Sequence, residues 1–423
     1  MAGTSDPVDG EVKVEVEVPA FPSFGSVALE AAASPATPAA AELRPSLRAH
    51  VFASTKGGTG KTTVLYQAAT QYASDHPGEQ VLVVDCSYAG DISALLSGGA
   101  RVEQAAQKFR DGANAAELFK HLLAMVDDGE LAETLSALKV SSSASKGAGP
   151  PTLVSQFGVP VRELNPEIAL DNLFLVRGGT TGHQPCRFLF GADDALPPDD
   201  MRRLAAVLRR ELAALPGVWR VFFDSDPIGN LETNISMRVM ICAADDMVLF
   251  TEAGAADLLR AHGFLGVLAL QQAAEAKASS PCAGVSVVCF NKVLPDPAHG
   301  AALWAPLCCA VRPHMRAARK VIESYANNIA DFAVSGKVAL RRLFQVSASP
   351  HALGVSKGDF IARTFMVMQD FRRPGVCSAD VGVPFCCLEP AREYRGLYDA
   401  YRVGGAQLAK LIANVQELNT RLK

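Results

Sequence analysis

The chain has 423 residues, 49% of them apolar, and a formal net charge of −4. That suffices for one large α/β domain or two ordinary ones, and it excludes a global polycation that grips nucleic acid by charge alone. No apolar run reaches the ~18–20 residues that cross a bilayer. The ten cysteines lack C-x-x-C spacing. Cys86, Cys242, Cys289, Cys308, Cys309 and Cys387 have apolar neighbours, which suits buried reduced thiols and a cytoplasmic, reducing setting.

Residues 1–47 are low in complexity and rich in Ala, Ser and Pro, as in Ala31 to Pro38. They read as a disordered tail without the marks of a signal or transit peptide. From there to residue 423 the pattern is that of one folded domain. His50 to Ser54 is a short apolar run that stops at a glycine-rich loop, and a helix is predicted from Thr62 to about Ser74. Gln80 to Asp85 is a continuous apolar run ending in a carboxylate. Runs without alternation suit strands buried on both faces of a parallel sheet.

Residues 101–170 read as an insertion holding one or two helices and a polar loop over 141–150. Further strands are predicted at Leu173–Val176, Trp219–Asp224, Met247–Thr251, Val285–Phe290 and Leu343–Val346. Asp199 to Leu215 has helical spacing, closed by Pro216-Gly217. Residues 350–390 read as irregular. Tyr401 to Leu422 reads as an amphipathic helix with Leu408, Leu411, Ile412, Val415 and Leu418 on one face. Strands alternating with helix-length segments predict an α/β fold. Its mostly parallel twisted sheet has about seven to eight strands, with helices on both faces.

The loop after the first strand reads Lys56-Gly57-Gly58-Thr59-Gly60-Lys61-Thr62-Thr63. Glycines let backbone N–H groups approach a phosphate chain, and the following helix adds its positive end. Lys61 is placed to reach the β- and γ-phosphates. Thr62 offers a hydroxyl for magnesium, and Thr63 can bond the α-phosphate. ATP and Mg2+ are therefore the expected ligands.

Thr55 stands where the ordinary phosphate loop has its first glycine, and Lys56 precedes the glycine pair. This resembles the deviant Walker A motif, K-G-G-x-G-K-[ST], of the ParA/MinD family. The resemblance extends to Val81–Asp91, where Asp85 and Gly90 match a D-x-D-P-Q-G-N segment. Phe222–Pro227 is similar to a Walker B strand, and Cys289-Phe290-Asn291-Lys292 to a strand-end N-[KR]. It implies an ATPase whose Lys56 reaches the partner's phosphates across a homodimer. Asp85 and Lys61 would be catalytic, Asp224 would hold magnesium through water, and Asn291 would read adenine. Ser87 departs from the family, falling where the second carboxylate of D-x-D positions water. Serine orients water less strongly than a carboxylate, so slow hydrolysis is expected, with Asp91 and Asp226 as nearby substitutes.

The resemblance implies an ATP-switched dimer that positions or partitions a cargo. The pairs Arg202-Arg203, Arg209-Arg210, Arg341-Arg342 and Arg372-Arg373 are candidate DNA contacts, although solvated faces explain such pairs as well. The leucine stripe of the last helix suits core packing better than membrane binding. Two alternatives stand beside this reading. An iron–sulfur scaffold ATPase would use cysteines, but Cys308-Cys309 and Cys386-Cys387 are adjacent pairs of poor geometry for a cluster. A scaffold that binds nucleotide without hydrolysing it is compatible with Ser87.

Overall fold

The computed structural model describes residues 46–87, 89–99, 113–126, 152–178, 198–228, 235–293, 322–330, 343–344, 357–396 and 399–422. Its centre is a sheet of eight strands. These are β1 (Leu47–Ser54), β2 (Gln80–Asp85), β3 (Val159–Pro160), β4 (Leu173–Val176), β5 (Trp219–Asp224), β6 (Asp246–Thr251), β7 (Gly284–Val293) and β8 (Phe365–Gln369). Their order is β3-β4-β2-β5-β1-β6-β7-β8. Every pairing is parallel except the short edge pair β3–β4.

Burial explains the unbroken apolar runs, because each face of the sheet packs against helices. One face carries α1 (Lys61–Asp75) and α2 (Asp91–Leu96). The other carries α3 (Ala115–Ala124), α4 (Pro198–Ala213), α5 (Ile235–Ala243) and α6 (Ala255–Lys277). Helices α7 (Arg372–Val381) and α8 (Gly405–Arg421) return to the α1 face. The signals in α4 are local. Proline opens it, Asp199 and Asp200 sit in its first turn and Arg210 in its last, matching the helix dipole. Met201, Leu204, Val207, Leu208 and Leu212 form its buried side.

The leucine stripe of the last helix is core. Leu408, Leu411, Val415 and Leu418 are buried on α8, and Asn419 donates to the Ala68 carbonyl of α1 at 2.9 Å. The helix begins at Gly405, because Ala400–Arg402 pairs with Glu393–Arg395 as a small antiparallel hairpin. Among the described residues no helix is long and apolar enough to cross a membrane.

The reading of the last strand and of residues 350–390 needs correction. Leu343 and Phe344 are buried but belong to no strand; a short apolar run suits either a helix or a strand. The eighth strand is instead Phe365–Gln369, inside the stretch read as irregular. The segment read as an insertion holds a helix, as expected, and joins the core. Leu118, Phe119 and Leu122 of α3 enter the core, and β3 extends the sheet edge. Residues 1–45 of the tail, the 141–150 loop, Arg341-Arg342, Gln345-Val346 and Cys308-Cys309 lie outside the described residues, whereas Leu47, read as the end of the tail, opens β1.

Candidate phosphate-binding site

From β1 the chain moves outward to β2 on one side. It returns through β5, crosses β1, and continues as β6, β7 and β8 on the other. The strand order therefore reverses at β1, and ligands of such sheets bind beyond the carboxyl ends of the strands at that point. The glycine-rich loop occupies this position.

Gly58 and Gly60 have φ of 73° and 81°, a left-handed backbone that favours glycine. A side chain at Gly60 would also collide with the Asn291 amide, 2.5 Å from where a Cβ would stand. Gly60 caps the N-terminus of α1, so Lys61, Thr62 and Thr63 form its first turn. Thr59 and Lys61 are buried, whereas Gly57 and Gly58 are exposed at the mouth.

Lys61 Nζ donates to Asp224 Oδ1, and also to Thr62 Oγ1 at 3.2 Å. Thr62 Oγ1 lies 3.4 Å from the same carboxylate oxygen. Asp224 ends β5 and is fully buried, and its Oδ2 has no hydrogen-bond partner. Burial pushes its carboxyl up to about 6; Lys61 pulls the other way, and the neighbouring Asp85 adds to the rise. A buried carboxylate oxygen without a partner, beside a threonine hydroxyl, is the donor chemistry that a hydrated magnesium ion takes. Thr62 and Asp224 therefore fit such an ion.

Asp85 pairs with Asp224 in the β2–β5 register but faces other partners. Ser87 donates to its Oδ1 through backbone N and Oγ, at 3.0 and 2.6 Å. Ser93 does the same to Oδ2, at 3.1 and 2.6 Å. Burial raises the carboxyl above its ordinary value against these four bonds. Ser93 Oγ accepts from Gly178 N at 2.9 Å, and a Cβ on Gly178 would stand 2.4 Å from the Asp85 carboxyl carbon. Asp85 thus ties the start of α2 to the end of β4. Ser87 Oγ is committed on both sides, because it also accepts from Gly90 N at 3.2 Å. Asp91 is the exposed first residue of α2, and Asp226 is half-buried two residues beyond Asp224.

Lys56 points away from Lys61. Its Nζ lies 3.2 Å from both Glu252 Oε2 and Asp257 Oδ2. Desolvation opposes the charge on Lys56, but these two carboxylates outweigh it and raise its pKa. Glu252 also accepts from Lys292 at 3.0 Å, and Lys292 donates to the Gly58 carbonyl. Burial works against the Glu252 charge, while Lys292 and then Lys56 hold its carboxyl below the usual range. Asn291 Nδ2 donates to the Thr59 carbonyl at 2.7 Å, so this amide braces the loop from β7. Sequence reasoning missed Glu252, Asp257 and Ser93. Glu252 had a signal, since it directly follows β6 and is a strand-end carboxylate like Asp85 and Asp224.

A glycine-rich loop at the switch point, a buried lysine at its helix end and a strand-end aspartate beside a threonine hydroxyl decide the class of fold. It is a P-loop fold. No family model matches the chain, and no curated protein matches it. Among solved structures the chain is similar to apo McdA of Cyanothece. Identity there is 14% over 89% of this chain and 100% of that one, with a TM-score of 0.48. It is also similar to a plasmid partition protein of Borrelia burgdorferi B31 bound to AMPPNP, at 12% identity over 88% and 98% of the chains and a TM-score of 0.44. A ParA family ATPase of Chlorobium tepidum TLS gives 13% identity over 87% and 97%, with a TM-score of 0.43. At such distances the P-loop's own geometry has to decide its chemistry.

Proposed function

We propose that this chain is a ParA/MinD-type ATPase that binds ATP with magnesium and closes as a homodimer to position or partition a cargo in the cytoplasm. The observation that carries the reading is the P-loop cradle, with Lys61 buried at the helix end and the orphaned Asp224 Oδ2 beside Thr62. Backbone N–H groups of residues 57–63 would surround the phosphates, and Lys61 would exchange Asp224 for phosphate oxygens. Thr62 and Asp224 would hold the magnesium, which when bound neutralises phosphate charge. Asn291, held against Thr59, would stand at the base end of the loop.

The role proposed for Lys56 is to leave Glu252 and Asp257 and neutralise phosphates of the partner subunit. Its side chain is 37% exposed, so reaching outward needs no rearrangement of the core. The proposed slow hydrolysis gains support from Ser87, whose hydroxyl already serves Asp85 and Gly90. Asp85 would act by placing α2 rather than by touching phosphate.

Size-exclusion chromatography with light scattering tests the switch. The expected result is a monomer without nucleotide and with ADP, and a dimer with ATP and magnesium that Lys56→Ala abolishes. A wild-type chain that stays monomeric with ATP and magnesium while binding both would reduce the reading to a nucleotide-binding scaffold.

A further inference from the structure

Cys386 and Cys387, two adjacent thiols outside the P-loop, differ from the enclosed cysteines Cys86, Cys242, Cys289 and Cys377; Cys282 is half-buried as well, but the neighbouring Cys242 and burial raise its pKa. Residues Phe385–Cys387 form one 3-10 turn, closed by Cys387 N donating to the Pro384 carbonyl at 2.9 Å. The turn rests on α1, where Phe385 N donates to Gln67 Oε1 at 2.8 Å and the Cys386 thiol meets the Thr70 hydroxyl. The two Sγ atoms are 3.8 Å apart, within reach of an S–H···S contact. Both residues are half-buried, which corrects the expectation that Cys387 is buried, whereas Cys86, Cys242, Cys289 and Cys377 are enclosed.

Their chemistry differs too. Burial pushes the Cys377 thiol up to about 11 and raises Cys289 as well. Cys387 moves the opposite way. The Cys386 thiol beside it stabilises its thiolate, burial opposes this, and the Ala169 backbone adds a further hydrogen bond. Cys386 correspondingly keeps its proton. A half-buried thiol whose ionised form is favoured, with a second thiol 3.8 Å from it, is the arrangement of a nucleophile and its resolving partner.

We propose that Cys386 and Cys387 form a dithiol site that hydroperoxides oxidise to a disulfide between neighbouring residues. The Cys387 thiolate attacks a peroxide oxygen of ROOH. An S–O bond forms, the O–O bond breaks, and the alkoxide leaves as ROH after taking a proton from solvent. Cys387 is then a sulfenic acid. The Cys386 sulfur attacks Cys387 Sγ, the S–S bond forms, the S–O bond breaks, and water leaves carrying the Cys386 proton. The two thiols lose two electrons and the peroxide gains them. Closure brings the sulfurs from 3.8 Å to about 2.05 Å inside one turn. It also removes the thiol contacts to Thr70 and Ala169, so α1 and the segment before β4 both feel the change.

The full chain, wild type and with Cys386→Ser or Cys387→Ser, is treated with one equivalent of hydrogen peroxide, quenched with an alkylating agent and mapped by peptide fragmentation. In the wild type the segment should lose two hydrogens, resist alkylation at both positions, and regain both sites after dithiothreitol. Cys386→Ser should retain a dimedone-reactive sulfenic acid on Cys387, and Cys387→Ser should oxidise at least tenfold more slowly. Free alkylation of both thiols in peroxide-treated wild type would overturn the proposal without recourse to any variant. So would a disulfide to another cysteine such as Cys377, or a Cys387→Ser chain that oxidises at the wild-type rate.

Discussion

Polar side chains cluster near both ends of strand β1, and the two ends are built on opposite principles. At the amino end, His50 Nδ1 meets Asp246 Oδ1 at 2.6 Å, and Arg220 Nη1 lies 3.2 Å from His50 Nε2. Arg220 also donates to the Tyr72 hydroxyl at 2.8 Å and to the Leu422 carbonyl at 3.1 Å. Tyr72 donates to Glu79 at 2.6 Å. Each side chain has a complementary neighbour, although the buried Arg220 Nε itself makes no hydrogen bond, and the set fastens β1, β5, β6, α1 and the C-terminal end of α8 together. At the carboxyl end, like charges crowd even though each lysine has a carboxylate partner. Asp85 adjoins Asp224, and Lys56, Lys61 and Lys292 surround one loop. One buried oxygen there lacks any partner. A folded chain tolerates such crowding where a ligand of both signs completes it. On the proposed function, the amino end serves stability and the carboxyl end serves binding.

If that division holds, mutations at the two ends have separable consequences. The largest is at the amino end. His50→Leu leaves Asp246 buried without its partner and should lower unfolding free energy by about 3–5 kcal/mol, measured by urea denaturation, with nucleotide affinity unchanged in the folded fraction. The next concerns pH. Asp224 has its folded pKa raised to about 6 from 3.8, so its contribution is greatest at low pH and is lost as pH rises through the folded value. Asp224→Asn should therefore gain stability relative to wild type between about pH 4 and 6, levelling near about 3 kcal/mol in nucleotide-free protein. A difference independent of pH would mean that the carboxyl is not held up by burial.

Lys61→Ala should weaken ATP binding by about 100-fold, about 2.7 kcal/mol, as read by calorimetry. The smallest effect is at Glu252. Glu252→Gln should change stability by less than about 1 kcal/mol, because its ion pairs are part-exposed. It should also lower the protein concentration at which ATP produces dimers, since Lys56 then leaves one carboxylate rather than two.

The same two ends differ in how far the amino acids alone disclose them. The P-loop is local, so Lys56 to Thr63 could be read as a unit, and the strand-end carboxylates Asp85 and Asp224 followed from apolar runs. Six of the eight strands were legible as such runs. The remaining two were not, because β3 has two residues and β8 lies in a segment broken by Gly, Pro and Cys. Long-range partnerships left no local trace. Nothing in the spacing joins His50 to Asp246, 196 positions apart, or Lys56 to Glu252 at the same separation. Ser93 gave no signal either, since its role depends on β4 bringing Gly178 alongside.

Calorimetric titration of ATP into the full chain, with magnesium and with a chelator, tests the central claim most directly. The account predicts one site per chain, tight with magnesium, weakened in the chelator, and weakened about 100-fold in Lys61→Ala while His50→Leu retains it. Absence of any heat with wild-type protein, or binding that Lys61→Ala leaves intact, would contradict it.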